Sequence, residues 1–136
     1  SIMKIKIGQI LSLITLKEDH MEEKQFISHL PRASVLTLKD QVSYQEGQIA
    51  SKTLAQNKNV SLTLFAFDKD EEISSHQSTG DAMIQVLEGK ARIMVGKEFF
   101  EVSEGESILM PHDVDHAVYA LEPMKMCLTV VFPYER

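Results

Sequence analysis

Cysteine is nearly absent: Cys127 is the only one in 136 residues, so no intrachain disulfide forms. Its apolar setting, MCLTVVF, reads as core packing, and a reducing cytoplasm is the expected compartment. Basic residues are scarce as well. Fourteen against twenty acidic ones leave a net charge of −6, a field that repels phosphate backbones and anionic lipid surfaces, so neither a nucleic-acid nor a membrane partner is expected. No long apolar run is present. The stretch from Ile7 to Leu16 is ten residues, interrupted by Gln9, Ser12 and Thr15, where a bilayer needs about twenty. It lacks a small-residue cleavage site after it, which argues against a secretory signal. Repeats, low-complexity tracts and Pro/Gly-rich linkers are also missing, so a single domain is expected.

What is there is ordinary globular material. Hydrophobic residues at 43% and charged residues at 25% place the chain outside the disordered and membrane classes. The texture changes near Pro31, which separates an N-terminal extension, residues 1–32, from a domain over 33–136. Within the extension, Phe26, Ile27 and Leu30 have helix-compatible spacing, and the stretch 17–30 is predicted to carry a short helix that ends before Pro31. From Ser34 onward the pattern is one of short strands between turn residues. VSLTLFAF (60–67) is the clearest strand: Val60, Leu62, Leu64 and Ala66 share one face, Phe65 and Phe67 the other, and the bulk on both sides predicts that both are covered. Further strands are predicted at 83–88, 91–95, 98–102, 107–110, 116–121 and 125–132. Gly96-Lys97 between ARIMV and EFFEV suits a two-residue type II′ hairpin.

Two segments carry a motif-like frame: ISSHQSTGDAMIQVLEG (73–89) and GESILMPHDVDHAVYA (105–120). Together they resemble the two motifs of the cupin superfamily, specifically its small single-domain, RmlC-like members. The first motif of that family supplies glycine, His-x-His, glutamate and glycine. Here His76 and Gly89 match, while Asp70 stands for the first glycine, Ser78 for the second histidine and Ala82 for the glutamate. In the second motif Gly105, Pro111 and His116 match at the family spacing, with Asp113 in place of glycine and Ala120 in place of asparagine. Aspartate tolerates the left-handed backbone better than most residues, so Asp70 and Asp113 are expected to occupy glycine-like turns.

The resemblance implies an all-β, double-stranded β-helix (jelly-roll) barrel with a short, partly helical N-terminal extension, frequently assembled as a homodimer. It also implies a pocket centred on His76 and His116. Imidazole with carboxylate suits a divalent transition metal, iron, manganese, nickel, zinc or copper, and no organic cofactor is expected. Asp81, beside the missing glutamate position and after the SerThrGly loop, is the candidate carboxylate, giving a two-histidine, one-carboxylate set of His76, His116 and Asp81. Ser78, Met83, Met110 and His112 are candidate pocket residues, and His112 is a candidate third nitrogen. Two functional readings follow. One is a metal-dependent enzyme of dioxygenase or isomerase type acting on a small polar organic molecule. The other is a binding or sensing barrel without metal, in which the two histidines are hydrogen-bonding groups.

Overall fold

The computed structural model describes residues 25–134. Nine strands form two antiparallel sheets: β1 Ile49–Gln56, β2 Val60–Phe67, β3 Glu72–His76, β4 Asp81–Glu88, β5 Lys90–Val95, β6 Glu98–Ser103, β7 Ser107–Met110, β8 His116–Ala120 and β9 Met124–Val131. One sheet has the order β1-β2-β9-β4-β7 and the other β3-β8-β5-β6. A single 3-10 turn, Leu38–Gln41, is the only helical element among the described residues. No helix of the described residues is long and apolar enough to cross a membrane.

The alternation in β2 explains how the layers stack. Phe65 and Phe67 enter the core between the sheets, beside Ile84, Ile93, Met110, Met124 and Met126. Leu62, Leu64 and Ala66 point to the opposite face, where Val42, Leu54 and Cys127 pack with Leu30, Leu38 and Tyr44. Segment 30–44 therefore covers the outer face of the five-stranded sheet around β1, β2 and β9. Both faces of β2 are covered because each holds side chains worth about 1.5–3 kcal/mol apiece on burial. Tyr44 anchors this layer by donating its hydroxyl to Glu88 Oε2 at 2.5 Å, while Lys125 sits over its ring at 4.9 Å.

Turn chemistry follows the backbone demands read from the sequence. Asp70 and Asp113 take φ of 70° and 59°, the left-handed values expected of glycine substitutes. Gly96 has φ 63° and closes the two-residue turn that puts Val95 opposite Glu98. Lys97 does not share the positive φ, as a type II′ turn requires. Gly80 meets a steric demand instead of a positive φ. It is buried, and a Cβ there would collide with the carbonyl of Val131, so glycine permits close backbone approach.

Two strands escaped the sequence reading. β1 carries Ser51, Lys52, Thr53 and Gln56 and lacks a clean apolar alternation, and β3 is mostly polar. The helix predicted over 17–30 is absent in its described part. Residues 25–30 run irregularly, Ser28 N–H donates to Leu54 O at 2.7 Å, and His29 has φ 65°. Pairing with the edge of β1 supplies the hydrogen bond that a helix would have supplied internally. The remainder of that prediction, 17–24, lies outside the described residues.

Candidate functional site

His76 closes β3 and His116 opens β8, and the two are direct cross-strand partners. Their register depends on a bulge: Ile73 pairs with Val118 and His76 with His116, so Ser74 and Ser75 together oppose Ala117. In an unbroken strand, Ile73 and His76, three residues apart, would face opposite sides. The extra residue turns His76 onto the inward face that Ile73, Val118 and His116 share. The ring centroids stand 4.2 Å apart with planes at 71°.

Each imidazole is oriented by the backbone carbonyl two residues before it, Ser74 within β3 and Val114 in the loop before β8. His76 Nδ1 lies 2.9 Å from Ser74 O and His116 Nδ1 lies 3.2 Å from Val114 O. A carbonyl oxygen only accepts, so both Nδ1 atoms carry the proton when the rings are neutral, leaving the Nε2 lone pairs outside these bonds. His116 is 4% exposed, whereas His76 reaches solvent. Burial, and then the neighbouring His76, hold the His116 pKa below the usual imidazole value, so His116 is neutral at pH 7.

The loop that follows β3 and the loop that precedes β8 are clasped together. Gln77 Nε2 donates to Asp115 Oδ1 at 2.8 Å, and Asp113 N–H donates to Ser78 O at 2.8 Å. Ser78 is past the end of β3, and its hydroxyl accepts Gly80 N–H. Asp81 joins the same clasp, accepting His112 N–H at 2.9 Å.

That geometry corrects the expected ligand set. In β4 the inward positions are Ala82, Ile84 and Val86, and Asp81, Met83 and Gln85 alternate outward. Asp81 therefore points away from the histidine pair. Met83 is 37% exposed on the outer face, and Met110 is sealed in the core at 1%. His112 is exposed, with Nδ1 3.1 Å from Asp113 Oδ2, and that bond followed by the charge of Asp81 raises its pKa. Among the described residues no third histidine, cysteine or carboxylate joins His76 and His116 in a metal-holding group. The strand parity that aims Asp81 outward is set by where β4 begins, which the SerThrGly loop conceals in the sequence.

Three clefts lie around the pair without either histidine in their walls. One of about 630 Å³ runs between Thr79–Asp81, His112–Asp113 and Val131–Pro133. One of about 210 Å³ lies beside Arg92 and Tyr119 on the outer face of the four-stranded sheet. The third, about 430 Å³, opens between β6 and β7 and includes Val95, the cross-strand partner of His116. Val95 was not singled out in the sequence. The Gly96-Lys97 turn fixes its pairing with Glu98, but nothing local fixes its pairing with β8.

The cupin domain family matches residues 63–132, the stretch that runs from β2 to the end of β9 and contains both histidines. The chain belongs to the cupin superfamily. No protein of curated function matches it. A conserved protein of unknown function from Streptococcus pyogenes is 40% identical with a TM-score of 0.80, over 82% of this chain and 97% of that one. A cupin superfamily protein from Desulfitobacterium hafniense is 25% identical with a TM-score of 0.76, over 79% of this chain and 98% of that one. A cupin 2 conserved barrel domain protein from Leptotrichia buccalis is 38% identical with a TM-score of 0.69, and this cupin covers 71% of itself but 47% of that chain.

Proposed function

We propose that this cupin binds a small organic ligand at a centre built on His76 and His116, and that the pair supplies two of the ligands of a divalent transition metal. The observation that carries the proposal is the arrangement of the rings. The rings stand 4.2 Å apart on one face, each with Nδ1 committed to the backbone carbonyl two residues before it. Metal-bound histidines commonly donate their other ring N–H to such an acceptor, which fixes tautomer and orientation. Burial that keeps His116 neutral favours the same role, because a protonated imidazole cannot ligate.

Two nitrogens from the protein leave several coordination positions for water and ligand atoms. The metal would act there as a Lewis acid toward a polar group of the ligand. The chain's own residues do the rest. Ser74 and Val114 carbonyls hold the rings in place, and the Gln77–Asp115 bond braces the strand ends outside them.

Titration of metal-stripped protein with Co²⁺, Zn²⁺, Ni²⁺ and Mn²⁺ tests the proposal. One metal per chain is expected for the wild type, with affinity lowered at least tenfold in His76→Ala and in His116→Ala. Equal binding by wild type and both variants would overturn it. A second reading, a metal-free barrel whose histidines hydrogen-bond the ligand directly, is favoured by the lack of a third ligating side chain among the described residues. It predicts ligand binding that chelator treatment leaves unchanged.

A further inference from the structure

The five-stranded sheet ends at β7 and the four-stranded sheet at β6, so the barrel has a seam where these two edges meet. The cleft of about 430 Å³ at that seam falls within the range of small-ligand sites, roughly 300–1,000 Å³. Its walls are Val95, Phe100, Val102, Ile108, Leu109 and Pro111. Phe100 shares the parity of the inward-facing Ile93 opposite it, yet is 39% exposed because no strand pairs with the β6 edge among the described residues. Leu109 is 60% exposed at the facing edge.

Two features connect this cleft to the histidines and define what it would accept. Val95 is directly opposite His116, and β-carbons of such pairs lie about 4.5–5.5 Å apart, so the apolar wall begins where the imidazole ends. The polar lining consists of Glu101, Glu106 and Ser107, with no lysine or arginine. Glu106 accepts Ser103 N–H at 2.8 Å and is held at the rim, and Glu101 is exposed beside it. An anion entering the cleft meets two carboxylates, no counter-charge, and a chain of net charge −6. An apolar ring or chain finds six apolar side chains.

We propose that the β6–β7 cleft holds the body of the ligand whose polar end reaches the histidine pair, and that this ligand is an apolar-bodied molecule with an uncharged or cationic polar group rather than a sugar acid or a phosphate. The proposal rests on the reading of His76 and His116 as the binding centre. It adds the class of molecule and the route by which it lies in the barrel.

Three probes with one ring and different charge test it: benzyl alcohol, benzylamine and benzoate. Methyl NMR of the full chain should show saturable shifts at Val95, Ile108 and Leu109 with the first two, and at least tenfold weaker binding of benzoate. Phe100→Ala and Leu109→Ser, both at partly exposed positions, should weaken the two favoured probes several-fold. Metal titration of the same samples reads the histidines separately. Metal bound with no cleft response overturns this inference and leaves the histidine reading standing, whereas a cleft response with no metal overturns only the metal. Benzoate binding as tightly as benzylamine would overturn the assigned ligand class. A dimer that Leu109→Asp dissociates would overturn the site itself, because a second copy would then fill the cleft.

Discussion

His112 and His116 sit four residues apart and respond to protons in opposite directions. His116 loses water on burial and faces His76, so its charged form is disfavoured and its pKa falls below the ordinary 6.5. His112 lies in solvent against Asp113, with Asp81 nearby, and its pKa rises above that value. In the window between the folded His116 pKa and 6.5 the unfolded chain binds more protons at that site, so stability declines as pH falls through it. His112 has the reverse sign: its contribution is fully present below pH 6.5 and is lost as pH rises through its raised pKa. NMR titration of the ring protons should give a midpoint above 6.5 for His112 and below 6.5 for His116. Asp113→Asn should lower the first and leave the second in place. Coincident midpoints would contradict this account of both rings.

At the level of elements, the bulge in β3 decides where an imidazole points. The candidate site was half legible in the sequence for this reason. His76 and His116 stand at motif positions, but their facing depends on Ser74 and Ser75 sharing one partner, and a bulge of two serines leaves no mark in hydrophobic periodicity. The same blindness to strand starts made Asp81 look like a ligand, when one step of parity turns it outward to His112 N–H. The double substitution Ser75→His with His76→Ser shifts the imidazole by one position, onto the bulged part of the strand opposite Ala117. Metal binding is expected to drop to the level of His76→Ala while the thermal midpoint moves by less than that of a core substitution. Retained binding would mean that the register of β3 does not set the site.

Over the whole molecule, the fold was legible where apolar residues alternate and obscure where edges do the folding. β2 reported both of its neighbours through its two apolar faces, and Asp70 and Asp113 reported their turns through left-handed tolerance. β1 and β3 are outermost strands with polar-rich sequences, IASKTLAQ and EISSH, and carry little signal, whereas the other two edge strands, β6 and β7, kept enough apolar residues to be read. Those edges also bear on assembly. β1 is eight residues long and has no neighbouring strand on one side among the described residues, and there Ser28 N–H bonds to Leu54 O. A long strand edge invites pairing, and a second copy on the β1 side would bury it together with the segment before Pro31. We expect a homodimer of twice 15.4 kDa in sedimentation at micromolar concentration. Removing residues 1–32 should shift it toward the monomer with its β-sheet circular dichroism retained, and Leu109→Asp on the far edge should leave the dimer intact. A monomer for the full chain at that concentration would remove the β1 edge as an assembly surface, since an edge of this length that stays single in solution is already protected by its own chain.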